Sequence, residues 1–261
     1  MMADYQYLGV ATEEKVCTVT ISNPPANLLS RAVLTELSSF LDAAAKDPNV
    51  KVLILTGAGT FFIVGADVKE IAGLQGPAEG KEASVLGQGV IGKLERMPIP
   101  TIAAINGHCL GGGCELVMAC TIRIANERAR MGQPEINLGI LPGFGGTQRL
   151  PRLVGISRAL ELMLTGEMIN AKAAEAMGLI SRAVPEGELM KQAIGLAKKI
   201  AGKSRPAVER ILRLAREGPS MPLDQALKLE SELFGELCGM EDMREGLKAF
   251  LEKRQPKFQD R

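Results

Sequence analysis

The residues that most clearly suggest chemistry are three glycines and a carboxylate within one short stretch. Gly111, Gly112 and Gly113 are followed by Cys114 and Glu115, and apolar residues stand on both sides. Glycine lets a ligand approach the backbone closely, and the first N–H groups of a helix have no acceptor inside it. Such a turn can present backbone donors and the positive end of a helix dipole to a developing oxyanion. For glycines alone, a tight packing turn is the more common explanation.

A second carboxylate follows twenty residues later, again among apolar residues. Glu135 stands in Met-Gly-Gln-Pro-Glu-Ile at 131–136. A carboxyl group that is removed from water has a raised pKa, which suits proton transfer near neutral pH. Glu115 and Glu135 together can hold one water molecule, one accepting its proton and the other donating one. Either glutamate alone is more often a solvated or salt-bridged surface residue, but the pair beside a glycine turn favours catalysis.

The neighbouring sequence predicts how these residues are positioned. Residues 101–105 predict a buried strand and residues 115–120 a buried helix, so the glycine run lies between a strand and a helix. A second glycine-rich turn, Leu-Pro-Gly-Phe-Gly-Gly-Thr-Gln-Arg-Leu at 141–150, also predicts a helix start. Neither turn fits G-x-G-x-x-G or a P-loop, so no nucleotide-phosphate motif is present.

The histidine and cysteine content excludes several other site types. His108 is the only histidine, which excludes sites with several histidine ligands, and no G-x-S-x-G turn accompanies it for a serine hydrolase. We interpret it as a structural loop residue near the site, and we predict no metal. The five cysteines form no C-x-x-C pair and are expected to be reduced and mostly buried. Cys114 is a possible nucleophile, but a small buried hydrophobic residue is the preferred interpretation.

Composition is that of an ordinary globular enzyme. The 261 residues are 46% hydrophobic and 23% charged, with a net charge of +1 and no tryptophan. A nucleic-acid surface would need a basic stripe and stacking aromatic side chains, so this composition argues against one. Residues 1–7 show neither a signal nor a transit-peptide pattern. We therefore expect a cytoplasmic protein in a bacterium, or a processed protein of the mitochondrial matrix, and no membrane association.

Strand and helix patterns along the chain predict an α/β fold with a helical C-terminal part. Residues 16–21 and 50–55 predict strands, and Ser30 is expected to cap a helix that runs to Asp47 and Pro48. After residue 188 only helices are predicted, which divides the chain into a core, 1–187, and a helical subdomain, 188–261. Apolar residues on the last helices are expected to pack across subunits: Leu223, Leu227, Leu233, Phe234, Leu247 and Phe250.

The segment 71–97 is ambiguous. Six glycines lower its helix propensity, while leucines and valines supply an apolar face. A mobile wall of an acyl pocket and an amphipathic surface helix with a flexible start are both consistent with this pattern.

Taken together, the motifs resemble the crotonase family, and within it the enoyl-CoA hydratases. The matching blocks occur in family order over nearly the whole chain: 23–30 (Asn-Pro-Pro-Ala-Asn-Leu-Leu-Ser), 65–70 (Gly-Ala-Asp-Val-Lys-Glu), 106–116, 132–135 (Gly-Gln-Pro-Glu), 138–139 with 142–150, and 244–254. The resemblance implies a core of repeated β-β-α turns and a helical tail that assembles trimers, which pair into hexamers. The sequence departs from commoner relatives at 63–64 and 108–109.

The resemblance also implies a mechanism. The backbone N–H groups of Ala66 and Gly112 would stabilise the enolate of an acyl-CoA thioester, so their side chains would matter little. Glu115 and Glu135 would hold the water that adds across C2 and C3, and Gly143 would mark a second helix N-terminus facing the site. No cofactor beyond the coenzyme A of the substrate is expected.

Contacts to coenzyme A and other activities are further implications of the resemblance. Lys69, and Phe250 with Lys253 from a neighbouring subunit, would contact the nucleotide part. The alternatives are a Δ3,Δ2-enoyl-CoA isomerase, which needs Glu135 alone, or a non-catalytic relative that binds acyl-CoA or RNA.

Overall fold

The computed structural model describes residues 5–261. The expectation about signal and transit peptides rests on residues 1–7, of which residues 1–4 lie outside the described part of the chain. Within these residues the strands are Leu8–Glu13 (β1), Val16–Ile21 (β2), Val52–Gly57 (β3), Ile63–Val64 (β4), Thr101–Ile105 (β5), Cys109–Leu110 (β6), Ile122–Asn126 (β7), Arg130–Gly132 (β8), Ile169–Asn170 (β9) and Arg182–Val184 (β10). The α-helices are Arg31–Ala44 (α1), Val68–Ala72 (α2), Pro77–Glu95 (α3), Gly112–Met118 (α4), Gly146–Val154 (α5), Ile156–Thr165 (α6), Ala171–Ala176 (α7), Leu189–Ala201 (α8), Arg205–Glu217 (α9), Leu223–Cys238 (α10) and Glu241–Leu251 (α11). Short 3-10 helices cover Pro134–Leu138 and Gly218–Ser220.

The strands form two sheets, and the chain passes from one to the other repeatedly. The first sheet has the order β1-β2-β3-β5-β7-β10 and the second the order β4-β6-β8-β9. Strands β3, β5 and β7 of the first sheet are each followed by β4, β6 and β8 of the second, and then by helical structure. The predicted α/β core of repeated β-β-α turns is therefore confirmed.

The central strands are buried on both faces, as in parallel sheets covered by helices. All residues of β3 and β5 are buried. One face packs against a large cluster that includes α1 and α4, and the other packs against α8 through Leu189, Ala193 and Ala197. Thus α8, the first helix of the predicted subdomain, also covers the sheet of the core.

Helix α1 begins as predicted but ends earlier. The Ser30 side chain accepts a hydrogen bond from the N–H of Val33, and the apolar face of the helix, which includes Leu34, Leu37 and Leu41, is buried. The helix ends at Ala44 rather than near Asp47, because the N–H groups of Lys46 and Asp47 bond three residues back, to Ala43 and Ala44. These bonds tighten the last turn and stop α-helical propagation.

The ambiguous segment 71–97 is largely helical. Helix α3 buries Val90, Ile91 and Leu94 on one face. Its other face lines a large cavity with residues that include Ala83 and Ser84. It therefore forms a wall of the cavity.

After β10 the described residues contain only helices, as predicted. Most of the predicted apolar residues of this part are exposed, Phe234 at 68% and Phe250 at 81%. Leu233 is the exception, because it is buried within its own chain. The C-terminal segment is tied back to the core by an ion pair between buried Lys51 and Asp260, 2.6 Å from Nζ to Oδ1. No helix among residues 5–261 combines the length and apolar character needed to cross a membrane.

Candidate active site

A cavity of about 1220 Å³ opens where α1, α2, α3 and α4 meet the 3-10 helix Pro134–Leu138. It is lined by Ala66, Gly112, Glu115 and Glu135 together with many apolar side chains. The structure thus brings into one cavity the four residues to which the sequence assigned the chemistry. A large apolar cavity with a few polar groups is the usual form of a ligand site.

The glycine turn that begins α4 is shaped by close contacts. Gly111 precedes the helix with φ +51°, and a Cβ atom there would lie 2.9 Å from Oε1 of Glu135. Gly113 packs so closely on Ile63 that a side chain has no room. The sequence placed this run directly after a strand, whereas the structure inserts β6, which pairs with β4 and β8.

The backbone N–H groups of Ala66 and Gly112 take no part in the hydrogen bonds of the neighbouring bridge and helix. Leu29 forms a parallel bridge with Ala66 that uses the carbonyl of Gly65 and the N–H of Asp67, so the N–H of Ala66 takes no part in it. Gly112 is the first residue of α4, and its N–H has no acceptor within the helix. Both residues line the cavity.

Glu115 lies in the first turn of α4 and is 1% exposed. Its Oε1 accepts hydrogen bonds from the backbone N–H groups of Phe144 at 2.8 Å and Gly146 at 2.7 Å. The pKa of Glu115 is raised to about 7, mainly by burial; Glu135 contributes to the rise, while the two N–H donors and Arg149 oppose it. Glu115 can therefore change protonation state near neutral pH.

Glu135 lies in the 3-10 helix Pro134–Leu138, facing the turn at Gly111. The pKa of Glu135 is also raised to about 7, because burial outweighs the opposing effect of a hydrogen bond from its own backbone N–H. Fully buried Gln133 orients this carboxylate: with its amide turned to satisfy its neighbours, Nε2 donates to both oxygens of Glu135 at 3.1 Å. Sequence reasoning missed Gln133, although an amide two residues before Glu135 among apolar residues was a usable signal.

The second glycine turn faces Glu115, with a shift from the expected position. Helix α5 begins at Gly146, three residues after Gly143, and the N–H groups that contact Glu115 belong to Phe144 and Gly146. The Gly143 carbonyl instead accepts a hydrogen bond from Oγ of Ser84 on α3, at 2.6 Å. A Cβ atom at Gly146 would lie 3.0 Å from Oε1 of Glu115, so glycine permits the close approach.

The residues expected to contact coenzyme A lie in different places. Lys69 lines the cavity, as does Arg31, which the sequence reasoning missed. Phe250 lies exposed on α11 and Lys253 follows that helix, and neither lines this cavity of its own chain.

His108 and the cysteines lie outside the cavity lining. The His108 ring packs beside Phe61, with 5.7 Å between ring centroids. Four cysteines are buried and Cys238 is exposed. Burial raises the pKa of Cys120 to about 12 and raises that of Cys109, so these thiols stay protonated.

Comparisons with known proteins give one consistent family. Residues 11–261 match the family model described as "Enoyl-CoA hydratase/isomerase". A protein of Bacillus subtilis named probable enoyl-CoA hydratase is 47% identical over 96% of this chain and 98% of its own length. A crotonyl-CoA hydratase of Syntrophomonas wolfei is 42% identical over 97% and 98%. The crystal structure of an enoyl-CoA hydratase from Bacillus anthracis, 40% identical, covers 98% of this chain and 100% of that one with a TM-score of 0.94.

Proposed function

The chain belongs to the enoyl-CoA hydratase/isomerase family, and we propose that it adds water across the C2–C3 double bond of 2-enoyl-CoA thioesters, giving 3-hydroxyacyl-CoA as in fatty-acid β-oxidation. The observation that carries this proposal is that two carboxyl groups, Glu115 and Glu135, line one cavity and both have a pKa near 7. Hydration requires a proton to be taken from water and another to be given to carbon, which such a pair can do.

The donors of the glycine turn would activate the substrate. Attack of water at C3 moves negative charge onto the thioester oxygen, and the N–H groups of Ala66 and Gly112 would stabilise that charge. A fixed donor of this kind contributes about 3 to 4 kcal/mol in systems where one has been removed. The geometry supports this role because both N–H groups are free of secondary-structure bonds and border the cavity.

Glu115 would act as the base and Glu135 as the acid. Two backbone N–H bonds and the nearby charge of Arg149 favour the charged form of Glu115. Among the described residues, no cation acts on Glu135 in the same way. When the pair holds a single proton, that proton would reside on Glu135, which would pass it to C2, while Glu115 takes one from the water.

Binding of coenzyme A would use cations at the cavity and a neighbouring subunit. Lys69 and Arg31 would face the phosphates, while Phe250 and Lys253, which are remote from this chain's cavity lining, would complete the site of an adjacent copy. The exposed apolar residues of α10 and α11 support a homo-oligomer, which we propose to be a trimer or a hexamer formed by a pair of trimers. Bacterial relatives support a cytoplasmic location. The reaction as proposed needs no cofactor or metal of its own.

Isomerisation of 3-enoyl-CoA is the second candidate, because Glu135 is partly buried and is oriented by Gln133 independently of Glu115. Moving a proton between C2 and C4 needs one base only. A non-catalytic acyl-CoA- or RNA-binding role would leave the two carboxyl groups of the cavity without a function.

Loss of the ultraviolet absorbance of the conjugated thioester, followed with crotonyl-CoA and then with longer 2-enoyl-CoA substrates, tests the proposal. Hydration of at least one of them is expected. Turnover of 3-enoyl-CoA with no hydration of any 2-enoyl-CoA would favour the isomerase.

A further inference from the structure

The backbone segment that holds Glu115 is itself held by an arginine. The guanidinium Nη1 of Arg149 donates to the carbonyl oxygen of Phe144 at 3.0 Å, and the N–H groups of Phe144 and Gly146 donate to Oε1 of Glu115. Arg149 therefore binds the segment 144–146 through a carbonyl oxygen, whereas Glu115 accepts hydrogen bonds from two N–H groups of the same segment.

Arg149 is in turn fixed by a carboxylate on α3. Its Nε lies 3.2 Å from Oε1 of Glu95 and its Nη2 lies 2.7 Å from Oε2, so the pair is a two-point fork. The Arg149 side chain is only 16% exposed, whereas that of Glu95 is 42% exposed. Forked arginine–carboxylate pairs fix direction as well as distance, so α3 determines where the guanidinium can lie.

Gly145 is fitted to this arrangement. It has φ +110°, which favours glycine, and a Cβ atom there would collide with Nη1 of Arg149. The backbone that presents the donors to Glu115 thus packs directly on the guanidinium. Arg149 does not line the cavity, so it acts on Glu115 without contacting the substrate.

The charged groups around Glu115 come from several elements. Glu135 of the 3-10 helix raises the pKa of Glu115 and Arg149 of α5 lowers it. Glu95 opposes the charge of Arg149, and Arg216 of α9 lies within electrostatic reach of Glu95. The remaining titratable groups nearby have other partners or are buried thiols: Lys93 of α3 bonds Ser38 and Asp42, Arg96 packs on Gly92, Arg152 of α5 bonds Gln148, and Cys109 and Cys114 are buried.

We propose that Glu95 and Arg149 form a positioning pair for the hydration: Arg149 holds the two amide donors against Glu115 and favours its carboxylate, and Glu95 fixes Arg149 and limits its charge. This inference rests on the proposed function for its kinetic consequences. Its electrostatic consequence, the ionisation of Glu115, is independent of turnover.

The pair predicts shifts of opposite sign. Arg149→Met removes the cation and loosens the donors, so Glu115 should bind its proton more tightly, and the acidic limb of the kcat profile should move up by roughly one pH unit. Glu95→Gln keeps a hydrogen-bond acceptor but leaves the charge of Arg149 uncompensated, so the same limb should move down. If the pair had a purely structural role, the acidic limb would move in the same direction in both variants, or only their melting temperatures would fall.

The experiment combines kinetics with carboxyl ¹³C NMR of glutamate-labelled protein, using Glu115→Gln to assign the Glu115 signal. Arg149→Lys should keep the position of the acidic limb while lowering kcat, since it retains the charge without the fork. The matched control is Arg152→Gln, which removes an exposed charge from the same helix and should leave the profile unchanged. KM for crotonyl-CoA should stay within a few-fold in every variant.

Opposite shifts of the Glu115 titration in Arg149→Met and Glu95→Gln support the inference, even if the wild type fails to hydrate and the proposed function falls. Shifts of the same sign, or none, overturn it. If Arg149→Met does not fold, an unchanged titration in folded Glu95→Gln overturns it equally.

Discussion

Replacing Glu115 by glutamine should make the protein more stable at alkaline pH. A carboxyl group with a higher pKa in the folded than in the unfolded protein favours folding while it is protonated. That contribution is fully present below the unfolded value, near 4.5, and is lost as the pH rises through the folded value, about 7 for Glu115. The wild type therefore keeps a buried charge above neutrality that the glutamine variant lacks.

The size of the effect follows from the two pKa values. The difference between 4.5 and about 7 corresponds to about 3 kcal/mol of unfolding free energy, at about 1.4 kcal/mol per pH unit. The glutamine oxygen can still accept from the N–H groups of Phe144 and Gly146, so little of the gain should be offset. At about pH 8 the variant should gain most of this amount, and at about pH 5 less than about 1 kcal/mol of it.

Urea denaturation at fixed protein concentration and at both pH values measures the difference. The control is Glu161→Gln, which changes an exposed carboxylate of α6 and should have little effect at either pH. Equal stability of Glu115→Gln and wild type at both pH values would refute the claim that burial keeps Glu115 near neutral pKa. A Glu115→Gln variant that is destabilised equally at both pH values would show that the hydrogen bonds of the Glu115 carboxylate stabilise the fold by more than its desolvation costs.

Four further outcomes are expected. Gly112→Pro, at the first position of α4 where proline is tolerated, should lower kcat by roughly 10²- to 10³-fold through loss of the donor. Gly112→Ala keeps the donor and should lower kcat much less, although its Cβ would lie 3.3 Å from the side chains of Leu29 and Phe144; equal losses in thermally stable variants would contradict this. The profile of kcat/KM should be bell-shaped around about pH 7, since one carboxyl group must be charged and the other protonated; a flat profile would contradict the pair. Gln133→Leu should lower kcat more than KM changes, because Glu135 loses its orienting donor; a change in KM alone would contradict this role. Phe250→Glu should reduce the assembly size in light scattering; an unchanged size would remove Phe250 from the subunit contact.

Local signals in the sequence identified much of the fold and of the site. Glycines, apolar runs and a serine cap specify nearby backbone, so β5, the start of α1 and the helices after residue 188 were predicted correctly. Glu115 and Glu135 were recognised because a carboxylate in an apolar run is unusual in itself. A carboxylate among apolar residues can be recognised in the sequence whatever the chain later packs around it, because such residues are rarely placed there without a partner or a function.

Features that depend on tertiary contacts were missed. The fork between Arg149 and Glu95 joins residues that lie 54 positions apart, and no local pattern pairs one charged residue with another at that range. Strand β6 exists only because β4 and β8 lie beside it. The buried position of Leu233 likewise depends on its surroundings, since its helical pattern does not say which apolar face meets its own chain.

The most direct test of the central claim is crotonyl-CoA hydration by wild type, Glu115→Gln, Glu135→Gln and the double variant. Each single substitution should lower kcat by several orders of magnitude with a modest change in KM, because a proton-transfer group is lost while the thioester contacts remain. The double variant should be hardly slower than the slower single variant, since either loss already disables the held water. Isomerisation of 3-enoyl-CoA should tolerate Glu115→Gln better than hydration does. Hydration within a few-fold of wild type in Glu115→Gln, together with loss of isomerisation in Glu135→Gln, would contradict the account and favour an isomerase.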